Sequence, residues 1–347
     1  MQVYSLDNNF TNDSVQLLVP ELTTLLQLRY RILQTISVTG PTGRRTILDT
    51  LKITERTVRN ETTLLKNQKL IQVTTKGMVC TEKGYAILEE LKQSFQKISG
   101  LAYKEKTLAK LLGIEKVIIV PGNLEEDETI KQLLGKEAVA HLTSIAKKDN
   151  TVAVTGGSSV ASLSNFLTPS KSLNTLSFVA ARGSIGDEMQ YQANTLVSQF
   201  ASKCQSTFRT LYLPENLSKN AYEAIIQEPV IKEILDLYEK TDIVIHGIGT
   251  AKEMAVRRKA SLELVQLLEQ KHAVGEAFGY YFDELGQIIY RINTIGIQLE
   301  QVKKSPKIIA VAGGAFKAKA IQAYFKNAAS QTTLITDEGA ANAILNG

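Results

Sequence analysis

The sequence predicts an α/β protein in two parts: a small, mostly helical head, then a larger domain built on a mostly parallel β-sheet with helices on both faces. Three observations carry this. From Lys116 onward short apolar runs, "KVIIVPG", "TVAVTGG", "TLSFVAARG", "TDIVIHGIG", "KIIAVAGG" and "TTLITDEG", alternate with amphipathic stretches such as 128–146 and 216–240. Each run is rich in β-branched residues and ends in glycine or a polar turn, the pattern of strands buried on both faces. Upstream, helical periodicity and one strand–turn–strand unit replace that alternation.

Composition narrows the function classes. With 347 residues, 44% of them hydrophobic, the chain can bury more than one core. No run approaches the roughly 18 apolar residues of a membrane span. The opening "MQVYSLDNNFTNDSVQLL" lacks the basic start and apolar stretch of a signal peptide, so a cytoplasmic protein with no membrane partner is expected. Cys80 and Cys204 lie far apart and suggest no disulfide framework, and three dispersed histidines do not suggest a zinc site. Net charge is +5, and residues 1–100, with 13 Lys and Arg against 9 Asp and Glu, carry most of it. A mildly basic head is compatible with nucleic acid, and also with an ordinary solvated surface.

In the head, Leu22, Leu25, Leu26, Ile32, Leu33 and Ile36 recur at helical spacing within residues 21–36, and Gly40, Pro41 and Gly43 end that helix. The stretch "RRTILDTLKITERTVRNETTLLKNQKLI" then predicts a helix over Arg44–Leu51, a tight turn at Lys52–Ile53 and a second helix capped by Thr54. Two short helices joined by a tight turn form a helix-turn-helix pattern. On the second helix Arg56, Arg59, Asn60 and Thr63 share one face, with Val58, Thr62 and Leu65 opposite. Arg and Asn suit base edges in a major groove and Thr suits bases or phosphates, although a plain polar helix face looks the same. The segment "LIQVTTKGMVCT" predicts a β-hairpin turning at Lys76–Gly77. A hairpin in that place is a winged-helix arrangement, with Lys76 set to touch backbone phosphate, and it favours a double-stranded DNA partner.

Residues 82–112 are expected to be helical. Leu88, Leu91, Phe95 and Ile98 follow coiled-coil spacing over about two heptads, so a dimerisation helix is expected; a helix lying on its own domain is the alternative. The expected division is a DNA-binding domain over 1–81, a linker or dimerisation helix over 82–112, and a ligand domain over 113–347.

In open parallel sheets ligands bind at the carboxyl ends of the strands. Two glycine loops fall there. "TGGSSVA" (155–161) is expected to place free backbone N–H groups and two hydroxyls at a helix N-terminus, and "GGAFK" (313–317) places Lys317 just inside its helix. Arg182 follows one strand, and Arg257 and Arg258 follow another. Four cations and two glycine loops at one sheet edge suit a ligand with two anionic groups. In "GEAFGYYFDELGQII" (275–289) Gly279 and Gly286 suggest turns. Glu276 could accept hydrogen bonds from sugar hydroxyls, or could lie on the surface. The competing reading is an enzyme, a sugar-phosphate isomerase or deaminase fused to a DNA-binding head. Glu276 and Asp283 would then be the candidate bases, while His246 reads as a core histidine. Thr250, Ala251 and Lys252 stand where such deaminases carry a glycine, acid and histidine cluster.

Several long stretches in one order, "GRRTI…ITERTVRNE", "VTGGSSVA", "AARGSIGDEMQYQANT", "HGIGTAKEMAVRR", "EAFGYYFDELGQ", "IIAVAGGAFKAKAIQAYF" and "TDEGAA", resemble the SorC/DeoR-type bacterial transcriptional regulators. The resemblance covers nearly the whole chain. It implies a repressor of an operon for central glycolytic enzymes, not a catalyst. The implied fold is a winged helix-turn-helix plus a Rossmann-like effector domain of the ribose-5-phosphate isomerase and glucosamine-6-phosphate deaminase type. Fructose 1,6-bisphosphate is the implied inducer, with no other cofactor. Because helix-turn-helix proteins usually read two half-sites as dimers, a homo-oligomer, dimer or tetramer, is expected. The implied effector residues are Gly156, Gly157, Ser158, Ser159, Arg182, Gln192, Arg257, Arg258, Glu276 and Lys317. The two serines stand where related proteins favour threonine. The DNA-binding set is Arg44, Arg45, Thr54, Arg56, Thr57, Arg59, Asn60, Thr63 and Lys76.

Overall fold

The computed structural model describes residues 19–184, 188–214 and 217–347. They fall into two compact units that divide between Lys104 and Glu105, inside the helix Leu101–Leu112.

In the first unit, the helix Pro20–Thr39 buries Tyr30, Ile32, Leu33 and Ile36. The helix Arg44–Leu51 ends at Lys52, whose left-handed φ of 51° makes the tight turn. The next helix is Glu55–Asn67. Its cap is Thr54, whose hydroxyl accepts the Thr57 N–H, and its buried residues are Val58, Thr62 and Leu65. Burying that stripe turns Arg56, Arg59, Asn60 and Thr63 outward, and all four are exposed. The strands β1 (Ile71–Thr74) and β2 (Gly77–Cys80) form an antiparallel hairpin. Both backbone groups of Thr42 bond Met78, so the hairpin is fastened to the link between the first two helices.

The expectation of one helix over 82–112 is corrected. Helices run over Glu82–Ile98 and Leu101–Leu112, and Gly100, at φ 73°, takes the left-handed turn that separates them. Two residues of the expected dimer seam are also engaged within their own chain. Leu88 and Phe95 are buried, Phe95 stacks on Tyr30 with ring centroids 4.0 Å apart, and the Tyr30 hydroxyl donates to the Leu88 carbonyl. The segment 82–98 therefore packs with the head, and the first unit extends past residue 81.

The second unit contains a seven-stranded parallel sheet. Its strands are β3 (Lys116–Val120), β4 (Thr151–Val154), β5 (Ser177–Ala180), β6 (Thr207–Arg209), β7 (Ile243–Gly247), β12 (Lys307–Val311) and β13 (Thr332–Asp337), in spatial order β3-β13-β12-β7-β4-β5-β6. Successive residues of a strand face opposite sides. Nearly every residue of β4, β5, β7, β12 and β13 is buried, so both faces of the sheet are covered. The helix Ile130–Ile145 packs on the β3, β13 and β12 side, and Ala193–Cys204 packs on β4, β5 and β6.

From β4 the chain builds outward through β5 to β6. It then returns to lay β7 against the other side of β4 and builds away through β12 and β13. The neighbours β4 and β7 are thus the place where strand order reverses, and a crevice opens there at the carboxyl ends of the strands. The expected amphipathic segment 216–240 is two helices, Lys219–Ile225 and Pro229–Glu239. The break falls where Pro229, which has no N–H to donate, begins the second; residue 216 lies outside the described residues. The segment after β7 folds into a small antiparallel sheet of β8 (Gly249–Thr250), β9 (Gly275–Ala277), β10 (Tyr280–Phe282) and β11 (Ile288–Arg291), in order β11-β10-β9-β8.

Candidate functional site

A cavity of about 560 Å³ opens at the switch point. It is lined by Thr155–Val160 after β4, Arg182 and Gly183 after β5, Glu188 and Tyr191–Ala193, Gly247–Gly249 from the end of β7, parts of 252–258, and Glu276, Phe278 and Lys317. All ten residues of the expected effector set border it. Five backbone segments that meet only in the fold therefore converge on one space.

The glycine loop is held by its neighbours. The Gly157 N–H donates to the Tyr191 carbonyl at 2.8 Å, so it is not one of the free donors expected from the sequence. Gly156 sits against the same carbonyl, and a Cβ there would come within 2.5 Å of it, which excludes any larger residue. The following helix is one turn, Ser158–Ala161, continued as a 3-10 turn over Ser162–Asn165. Lys317 is also placed differently from expectation. It ends a 3-10 turn, Ala315–Lys317, and precedes the helix Ala318–Phe325. Burial lowers its ammonium pKa, with Glu253 acting in the opposite sense. A ligand that brings negative charge to this lysine favours its protonated form.

Arg182 is buried, and its guanidinium lies against the Gly279 turn. The adjacent arginines differ from one another. Arg258 donates to Glu276 Oε1 at 3.0 Å and to the Tyr281 hydroxyl at 3.1 Å, and the side chains of the Arg258–Glu276 pair are 8% and 5% exposed. Glu276 also accepts the Gly279 N–H. Pairing of β9 with β8 sets Glu276 opposite Gly249, beside the loop after β7. Arg257 lies over the Tyr191 ring and bonds Glu188 Oε2 at 3.0 Å. Glu188 and Glu253 border the cavity without having been singled out in the sequence, and Lys252, from the segment set against the deaminase cluster, borders it too.

The acid–base candidates are otherwise engaged. Asp283 accepts the Leu285 and Gln287 N–H groups in the β10–β11 turn and does not border the cavity. His246 is fully buried between the Gly247 carbonyl and the Tyr324 hydroxyl, and burial lowers its pKa to about 4. This gives a pH prediction. His246 stays neutral in the folded state but protonates below its ordinary value when unfolded, so between about pH 6.5 and 4 the unfolded state binds more protons. Stability contributed by the neutral ring is therefore lost as pH falls through that window, by up to about 3 kcal/mol. Denaturant unfolding followed across pH 4–7 checks it, and His246→Asn should flatten part of the slope.

In the head, Arg44, Arg45, Thr54, Arg56, Arg59, Asn60, Thr63 and Lys76 are exposed, while Thr57 is half-buried and its hydroxyl lies 2.8 Å from that of Thr54. Lys76 stands in the hairpin turn, where the Thr74 hydroxyl accepts its N–H. Arg59 bonds Glu55 at 3.1 Å, an acidic partner the sequence reading did not weigh.

Two family models match the chain. The model described as "CggR N-terminal DNA binding domain" matches residues 25–95, and the model described as "Putative sugar-binding domain" matches 96–346. The central glycolytic genes regulator of Bacillus subtilis is 42% identical over 328 residues, covering 94% of this chain and 96% of that protein. The protein of the same name from Priestia megaterium is also 42% identical, with the same coverage. The chain belongs to the central glycolytic genes regulator family. Members of this family are transcriptional regulators, and this chain is a DNA-binding regulator with a sugar-binding domain rather than an enzyme. The chain is also similar to a crystal structure from Enterococcus faecalis described as a "putative SorC family transcriptional regulator". That structure is 41% identical with a TM-score of 0.66, covering 70% of this chain and 99% of that one. The full-length sorbitol operon regulator SorC from Klebsiella pneumoniae, 17% identical with a TM-score of 0.62, covers 96% of this chain and 99% of its own, a likeness of fold alone. Among the described residues no helix is long and apolar enough to cross a membrane.

Proposed function

We propose that this regulator is a cytoplasmic repressor of a central glycolytic operon, released from its operator by fructose 1,6-bisphosphate. The observation that carries the reading is that Arg182, Arg257, Arg258 and Lys317 border one cavity with the Gly156–Ser159 loop. Two phosphates joined by a polyhydroxylated carbon chain meet those requirements together. Cations and loop donors suit the phosphates, while Gln192 and Glu276 suit hydroxyls. The effector domain is read as the ribose-5-phosphate isomerase and glucosamine-6-phosphate deaminase type, used to sense a metabolite. In the head, a winged helix-turn-helix would set Arg56, Arg59, Asn60 and Thr63 in the major groove, with Arg44, Arg45, Thr54, Thr57 and Lys76 towards the backbone. A homo-oligomer, dimer or tetramer, would read repeated half-sites, coupled through the connecting segment 82–112. A ligand shifts that equilibrium only by its differential affinity for the two states.

Two substitutions separate the functions. Lys317→Ala should weaken fructose 1,6-bisphosphate binding by about 1.5–3 kcal/mol, the range for a hydrogen bond to a charged group, and leave ligand-free DNA binding intact. Calorimetry and DNA titration on the same preparation read both. Arg59→Ala should do the reverse, costing about 1–3 kcal/mol of operator binding if it contacts a base. A loss of the same size on random-sequence DNA would instead make Arg59 a phosphate contact.

A further inference from the structure

The two adjacent arginines at the cavity are held in opposite ways. Arg258 and Glu276 are both nearly inaccessible, and Glu276 is fixed a second time by the Gly279 N–H. That pair is a permanent part of the wall. The carboxylate on Arg257 is of another kind. Glu188 is 54% exposed, and its side chain is joined to the cavity by one 3.0 Å bond to Arg257, itself 24% exposed. An ion pair this open contributes little to stability. The Arg257 guanidinium is kept in place independently, by its position over the Tyr191 ring. Tyr191 is in turn tied to the glycine loop through its carbonyl and the Gly157 N–H. Arg257 thus stays aimed at the cavity whether or not Glu188 holds it.

We propose that Glu188 is a built-in competitor for the effector's phosphate: it occupies Arg257 in the ligand-free protein and must be displaced before a phosphate dianion takes its place. This rests on the phosphorylated-ligand reading and deepens it by naming the residue that sets the binding threshold. A carboxylate carries one negative charge and a phosphate monoester nearly two, with three acceptor oxygens, so a phosphate wins the exchange while a neutral sugar does not. The cost of displacement falls on every ligand alike, and only a doubly charged group recovers it. Glu188 therefore raises the concentration at which the regulator responds and favours phosphorylated over unphosphorylated sugars.

The test is calorimetric titration of the full-length protein with fructose 1,6-bisphosphate, in the wild type, Glu188→Gln, Arg257→Gln and the double variant. Glu188→Gln keeps the shape and removes the charge at an exposed position, so folding is not at stake. It should tighten binding roughly two- to fivefold, the upper part of the range of an exposed ion pair. In the Arg257→Gln background the same change should alter affinity by less than about twofold, because the contested guanidinium is gone. An equal gain in both backgrounds would overturn the proposal by showing that Glu188 acts through general repulsion. Unchanged or weaker binding in Glu188→Gln would overturn it by showing that Glu188 positions Arg257 for the ligand. A wild type that binds no fructose 1,6-bisphosphate would remove the ligand reading itself, and this inference with it.

Discussion

Asp337→Ala should destabilise the 105–347 unit by about 3–5 kcal/mol, a combination of lost charge-assisted bonds and buried donors left without acceptors. Asp337 is fully buried at the end of β13 and satisfies three backbone N–H groups from three places in the sequence. Its Oδ2 accepts from Leu124 at 2.6 Å, and its Oδ1 accepts from Gly314 at 2.9 Å and from Ala340 at 3.0 Å. The last of these caps the helix Glu338–Asn346. Alanine removes the cap and strands all three donors away from water. The melting temperature should fall on the order of 10 °C for a unit of this size. Because Gly314 leads into the turn that carries Lys317, the surviving folded fraction should also bind effector more weakly. Asp337→Asn keeps one carbonyl oxygen and should lose less. Equal losses in the two variants would mean that shape, not acceptor count, is what matters there.

Glu276→Ala is expected to cost a similar amount for a different reason. Removing one partner of a buried ion pair leaves the other's desolvation uncompensated, typically about 3–5 kcal/mol. Here Arg258 would keep its bond to the Tyr281 hydroxyl but face no carboxylate, and the Gly279 turn would lose its acceptor. Replacing both members, Arg258→Met with Glu276→Leu, should recover much of the stability while abolishing effector binding. That combination distinguishes a structural contribution of the pair from its contribution to the ligand site. Arg257→Ala, by contrast, should change stability by no more than about 1 kcal/mol, because its pair with Glu188 is open to water. Denaturant unfolding of these three variants gives the ranking directly.

Much of this was legible in the sequence, and the reasons are physical. β-Branched runs such as "VAVTGG" and "IIAVAGG" mark strands buried on both faces, and the residues after those strands are fixed at the sheet edge by topology alone. That is why the sequence alone groups Gly156, Arg182 and Lys317. The outward face of the helix Glu55–Asn67 followed from its spacing, since burying Val58, Thr62 and Leu65 leaves only one orientation. Pairings were not legible. Glu188 and Arg257 are 69 residues apart, and nothing local in either segment announces the bond. Glu276 could equally have been on the surface until β9 was seen paired with β8, strands of three and two residues too short to show alternation. The expected seam at Leu88 and Phe95 had the right spacing and the wrong partner. Helical periodicity says that a face is buried, and here Tyr30 of the same head buries it.

The central claim is that occupancy of the cavity by a bisphosphorylated sugar weakens DNA binding. The most direct measurement is a titration of the full-length protein onto a duplex selected from a random pool for tight binding, at fixed ionic strength, with and without millimolar fructose 1,6-bisphosphate. The account predicts weaker binding to the duplex with the sugar present, and no such shift in Lys317→Ala. Superimposable curves from a protein that calorimetry shows to bind the sugar would contradict it.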